Sequence, residues 1–159
     1  MAKEYGQVCP MARSLEFLGE RWTLLIVRDL LRGPQKFQDL SASLVGVAPA
    51  VLSLRLKLLE ERGVIQRRIY SDHPPRAEYS LTSAGMELRP VVGALIVWGS
   101  RHLDTPRQLA HKTCDHPIEL AYYCAHCEQT LDSGDVTYRP RKATRRTSRK
   151  RHSRVAGTF

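Results

Sequence analysis

Apolar residues in the stretch 10–32 fall at Met11, Leu15, Leu18, Trp22, Leu25 and Ile26, three or four apart, which traces one face of a helix. Pro10 suits a first helical turn, where its missing N–H would have had no partner, and Gly33-Pro34 closes the segment. Gly19 weakens the middle, so the stretch reads as one helix or as two short ones. A helix of two to three turns follows over 36–44, with Phe37, Leu40 and Leu44 inward. Val45-Gly46-Val47 is a tight connection. Pro49 then opens a third helix to about Arg62, with Val51, Leu52, Leu56 and Leu59 on its core side and Gly63 suited to the position just past its end.

At Val64 the period changes from 3.6 to 2. Residues 64–70 read as a strand, 71–75 as a proline-bearing turn and 76–81 as the returning strand. Thr82 or Ser83 caps a last helix to about His102, whose broad apolar face holds Leu88, Val91, Val92, Leu95, Ile96 and Trp98. Pro90 either kinks this helix or lies in an early turn. The expected fold class is therefore α+β, mainly α. Two helices joined by a short turn, the second followed by a hairpin, make a helix-turn-helix with a wing. Such a second helix fits the major groove of DNA, and the hairpin reaches neighbouring phosphates. The competing reading is a small α+β domain whose hairpin arginines are only solvated.

Charge sharpens the picture once it is located. The 159 residues carry a formal net charge of +9, and nine of the 25 Lys and Arg lie in 139–159, which holds no acid. The remaining body is neutral, and its one locally basic feature is the hairpin with Arg67, Arg68, His73 and Arg76. No apolar run approaches the roughly 18–20 residues that cross a bilayer, and the opening MAKEYG does not read as a leader. Four cysteines are too sparse for a disulfide scaffold, so a cytoplasmic setting with reduced thiols is expected. An enzyme is not expected: there is no glycine loop to cradle phosphate, no nucleophile–base pair and no paired carboxylates in a cleft-like context.

Several blocks occur in a specific order: Cys9-Pro10, Gly19-Glu20-Arg21-Trp22-Thr23-Leu24-Leu25-Ile26, Arg28-Asp29-Leu30, Gly33-Pro34, Phe37-Gln38-Asp39-Leu40, Leu59-Glu60-Glu61-Arg62-Gly63 and the hairpin run from Pro74 to Thr82. Over residues 8–104 the chain resembles the HxlR-type winged helix-turn-helix transcription regulators of bacteria and archaea. The resemblance implies a homodimer, built from the first and last helices, that binds double-stranded operator DNA in the cytoplasm as a nucleoid-associated regulator. It makes the third helix the recognition helix and the hairpin the wing. Two recognition helices about 34 Å apart would then reach successive major grooves. Lys36 and Gln38 are expected on phosphates, Ala50, Ser53, Leu54, Arg55 and Lys57 on the groove-facing helix, and Arg67, Arg68, His73 and Arg76 on the wing. Ala48, Ala50 and Leu54 stand where the family usually carries small polar, polar or basic residues, which shifts specificity toward phosphate contacts and DNA shape. Arg55 has a second reading, a structural ion pair with Glu60 or Glu61. The resemblance also implies that Cys9 can sense quinones, aldehydes or oxidants; the alternative is a buried structural thiol.

After Thr105-Pro106 the character changes. His111-x2-Cys114, nine residues and Cys124-x2-Cys127 have the spacing of two knuckles for tetrahedral zinc. His116 or His126 could replace His111, the last two cysteines could form a redox pair, or all the thiols could be plain core. The tail 139–159 lacks periodicity and reads as a disordered electrostatic arm. Three parts result: a DNA-binding and dimerisation domain over 1–104, a small zinc-ribbon-like extension over 105–138, and the basic tail. The alternative function is a nonspecific nucleic-acid-binding protein that relies on that tail.

Overall fold

A computed structural model describes residues 4–72 and 75–140. His73 and the basic run from 141 onward lie outside the described residues.

The first apolar stripe forms two helices, α1 (Pro10–Leu18) and α2 (Thr23–Leu30). The break falls at Gly19 and is completed by Trp22, which precedes α2 in the left-handed region at φ 78° while the Arg21 guanidinium sits 4.9 Å over its ring. A strand of two residues, β1 (Gln35–Lys36), then enters a sheet. Two residues are too few for alternation to show, which is why the sequence pattern gave no sign of it. The helix-turn-helix pair is α3 (Phe37–Ser43) and α4 (Pro49–Glu61). The wing consists of β2 (Ile65–Asp72) and β3 (Pro75–Leu81), and the antiparallel sheet runs β1-β3-β2. The last apolar stripe is also divided, into α5 (Ser83–Met86) and α6 (Arg89–His102), with Pro90 in the first turn of α6, where it needs no partner for an N–H.

Local chemistry fixes both ends of the recognition helix. Pro49 occupies its first turn. At the other end Gly63, at φ 69°, lets its own N–H reach Glu60 O at 2.9 Å while Val64 N–H reaches Leu59 O at 2.9 Å, the paired bonds of a Schellman cap. Thr82 joins this cap to the next helix. Its hydroxyl accepts from Gly85 N–H at 3.1 Å and donates to Gly63 O at 2.6 Å. Gly85 lies so close that a Cβ there would sit 2.1 Å from Val64 O, which explains its lack of a side chain.

These constraints gather one core. Ile26, Val27 and Leu30 of α2 pack with Leu40 of α3, Leu44 just past its end, Leu52, Leu56 and Leu59 of α4, Ile65 of β2 and Val92 of α6. Truncating any of these leucines or isoleucines to alanine is expected to destabilise by about 2–5 kcal/mol. The chain divides into two compact units between Leu120 and Ala121. The segment after α6 thus belongs with the first unit: Leu109 packs over Gly93, and Leu109 O accepts from Ile118 N–H at 3.1 Å. The second unit contains the antiparallel pair β4 (Tyr122–Cys124) and β5 (Gln129–Leu131) and a 3-10 turn at Ser133–Asp135. No helix among the described residues is long and apolar enough to cross a membrane.

Candidate nucleic-acid interface

The buried set on α4 leaves one side of that helix free. Ala50, Ser53, Leu54 and Lys57, spaced i, i+3, i+4 and i+7, are all exposed, and Leu54 keeps 58% of its surface. The face is nearly uncharged: its one cation, Lys57, is held 3.8 Å from Glu61 by an exposed i,i+4 pair.

Arg55 requires a correction. At 100° per residue it lies roughly 150° around the helix from the centre of the free face. Its guanidinium pairs with Glu20, and its Nε donates to Arg21 O at 3.2 Å. Arg55 therefore braces the α1–α2 corner. Its ion-pair partner is Glu20, not Glu60 or Glu61. The signal lay in the alternation of the apolar positions: Leu52, Leu56 and Leu59 define the inward side, and Arg55 falls at its margin.

Three of the residues expected near DNA, Lys36, Gln38 and Arg76, come together. Lys36, Gln38, Tyr70 and Arg76 line a hollow of about 240 Å³ between the start of α3 and the wing, although 40 residues of sequence separate its ends. Lys36 Nζ sits 5.3 Å over the Tyr70 ring. The Lys36 N–H is taken by the Asp39 carboxylate at 3.0 Å, so the side chain, not the backbone, is what Lys36 offers. Tyr70 was missed from the sequence, where it reads as an ordinary strand aromatic. The sheet register also separates the two wing arginines. Arg68 faces Glu78, which faces Lys36, so these three form one cross-strand row. Arg67 lies opposite Tyr79, in the row with Gln35, and projects from the other side of the sheet because successive strand residues alternate. His73 cannot be placed, since it lies outside the described residues.

Cys9 occupies the N-cap of α1 in extended conformation (φ −129°, ψ 127°), half-buried, with its carbonyl accepting from Arg13 N–H at 3.0 Å. The Arg13 side chain leans to Glu16 at 3.7 Å.

Of the four predicted zinc ligands, His111 and Cys114 belong to the first compact unit and Cys124 and Cys127 to the second. Among the described residues no three His, Cys, Asp or Glu side chains are grouped so as to hold a metal ion. Within its own unit each pair closes a turn. His111 Nδ1 lies 3.1 Å from Cys114 Sγ, and Asp115 N–H donates to His111 O at 2.8 Å. Cys124 and Cys127 flank the β4–β5 turn. The residue after each pair, Asp115 at φ 57° and Glu128 at φ 54°, still adopts the left-handed turn for which glycine is usual. In the second pair the Cys127 and then the His126 backbone donate to the Cys124 sulfur, and the Cys127 side chain adds a further bond. Together they hold the Cys124 thiol below its ordinary value against a smaller opposing effect of burial.

The sequence model of the HxlR-like helix-turn-helix family matches residues 17–107, more than half of the chain. The chain belongs to the HxlR-like helix-turn-helix family. It is a transcriptional regulator of the helix-turn-helix type, and its winged-helix fold follows that of solved relatives. An uncharacterized HTH-type transcriptional regulator of Mycobacterium tuberculosis is 38% identical over 134 residues, covering 82% of this chain and 84% of that protein. The uncharacterized regulator YvaP of Bacillus subtilis is 39% identical over 100 residues, 62% of this chain and 93% of its own. Among solved structures, a putative transcription factor from Pseudomonas aeruginosa superposes with a TM-score of 0.67 at 36% identity, over 86% of this HxlR-like chain and 94% of that one. The redox regulator HypR in its oxidized form gives a TM-score of 0.57 at 30% identity, over 61% of this chain and 100% of its own.

Proposed function

We propose that this HxlR-like chain is a homodimeric, sequence-specific DNA-binding regulator in which α4 enters the major groove. The observation that carries the reading is the free face of α4 (Ala50, Ser53, Leu54, Lys57) flanked by the cationic hollow of Lys36, Gln38, Tyr70 and Arg76. Leu54 and Ala50 suit thymine methyl groups, Ser53 suits a base edge, and the hollow grips the adjoining phosphates. With so few polar readers, groove shape and phosphate placement carry much of the discrimination.

A dimer follows from α6. Val91, Leu95 and Trp98 recur at i, i+4 and i+7 and keep 44, 53 and 56% of their surface. A second copy covering this stripe would set the two α4 helices on one face of a pseudo-palindrome. The test is footprinting on the promoter beside the chain's own gene in excess random DNA. A regulator keeps a protected site there. Equal competition by random DNA would favour nonspecific binding through the 139–159 tail.

A second reading adds a thiol response at Cys9. Its support is the placement of Cys9 at the start of α1, where N–H groups favour a thiolate, together with the similarity to the redox regulator HypR. Diamide and quinones should then alter DNA binding of the native protein but not of Cys9→Ser. An unchanged response in Cys9→Ser removes the reading.

A further inference from the structure

Between α2, α6 and the segment that folds back after α6 lies a second hollow, of about 530 Å³. Small-molecule sites commonly span roughly 300–1,000 Å³. Leu31 at the end of α2, Val92 and Ile96 of α6 and Leu109 supply its apolar surface. Gly93 and Gly99 leave its α6 wall low, with Leu109 3.7 Å from where a Cβ on Gly93 would stand. The third wall is pinned, because Leu109 O accepts from Ile118 N–H at 3.1 Å and Ala110 bridges to Pro117.

The charge around this apolar floor is one-sided. Arg28, Arg32, Arg89 and Arg107 line the hollow, and no Asp or Glu does. Arg28 is neutralised by Asp29 at 2.8 Å. For Arg32, Arg89 and Arg107 there is no ion pair among the described residues. Three guanidiniums around an apolar hollow fit one chemistry, a small organic molecule with a hydrophobic body and a carboxylate head. An inorganic anion would leave the leucines and isoleucine wet. A neutral hydrocarbon would draw nothing from the guanidiniums, which bind carboxylates in forked geometry.

We propose that this hollow binds a hydrophobic carboxylate, with its apolar body against Leu31, Ile96 and Leu109 and its head on Arg32 and Arg89. The hollow faces a side of α6 about 130° around from the exposed Val91-Leu95-Trp98 stripe, so a partner seated on that stripe leaves it open. It also touches both functional elements. α2 carries Ile26, Val27 and Leu30 into the core behind α3 and α4, while α6 carries the stripe. A molecule bridging Arg32 and Arg89 would hold these two helices in one relation. Any effect on operator affinity rests on the DNA-binding reading above, whereas binding itself does not.

Isothermal titration with naphthalene-2-carboxylate on the full chain tests the site. One molecule per chain is expected. The neutral naphthalene-2-carboxamide should bind at least about 10-fold more weakly, the loss expected when a charge-assisted bond is removed. Arg32→Gln with Arg89→Gln should bring the carboxylate to the level of the amide. Ile96→Trp, which fills the hollow, should abolish binding, and Trp98→Ala should preserve it. Circular dichroism melting confirms that each variant is folded. No binding by the folded native protein, equal affinity for acid and amide, or loss of binding in Trp98→Ala but not in the arginine pair would each overturn the proposal. The last of these outcomes would place the probe on the α6 stripe instead.

Discussion

Replacing Arg55 with alanine separates two roles that the sequence could not. In the structure its guanidinium pairs with Glu20 and donates to Arg21 O at 3.2 Å. The side chains of Arg55 and Glu20 keep only 16% and 30% of their surface, so water screens the pair less than it screens Lys57–Glu61, at 74% and 59%. An exposed i,i+4 pair of the latter kind contributes about 0.3–0.5 kcal/mol. A hydrogen bond to a charged group in a more sheltered site contributes about 1.5–3 kcal/mol. Discounted for its remaining exposure, the Arg55–Glu20 pair is expected to contribute about 1–2 kcal/mol, and the Arg21 carbonyl bond up to about 1 more. Arg55→Ala should therefore destabilise by about 1–3 kcal/mol, lowering Tm by about 2–12 °C for a chain of this length. Urea unfolding of Arg55→Ala, Glu20→Ala and the double variant should give a coupling of about 1–2 kcal/mol. Base preference at every operator position should be unchanged in the folded single variant. A normal urea midpoint combined with relaxed preference at one base pair would refute the brace and return Arg55 to the groove.

Other expectations follow from the same geometry. Gly85→Ala should destabilise by at least about 2 kcal/mol by thermal melting, because its Cβ would lie 2.1 Å from the Val64 carbonyl oxygen. Arg68→Ala and Lys36→Ala, which share a cross-strand row, should each flatten the salt dependence of DNA binding by about one unit of slope, and an unchanged slope for both would remove that row from the interface. Leu95→Glu should place a charge in the centre of the α6 stripe and yield monomers by light scattering, whereas a persistent dimer would locate the interface elsewhere. Iodoacetamide consumes thiolate, so Cys124, whose thiol is held low, should reach half its limiting rate at lower pH than an unperturbed thiol. Cys127→Ala should raise that midpoint only in part, since the backbone N–H at 127 remains.

Sequence alone settled what depends on neighbours a few residues away. Pro49 and Gly63 mark the ends of the recognition helix because one needs no N–H partner and the other accepts a left-handed turn. The order of helices and hairpin followed from apolar period, and the resemblance to the family from ordered blocks such as Cys9-Pro10 and Gly19–Ile26. Folding in three dimensions decided what depends on residues far apart. It added β1, whose two residues show no pattern until β3 pairs with them. It turned Arg55 toward a corner 35 positions earlier, and it set Tyr70 beside Lys36. It also brought His111 Nδ1 to 3.1 Å from Cys114 Sγ, and it laid the Cys127 and His126 backbone N–H groups on the Cys124 sulfur. The physical reason is range. Dihedral limits, caps and amphipathic periods act within a turn or two of chain, while the direction of a side chain on a finished surface depends on which distant backbone packs against it.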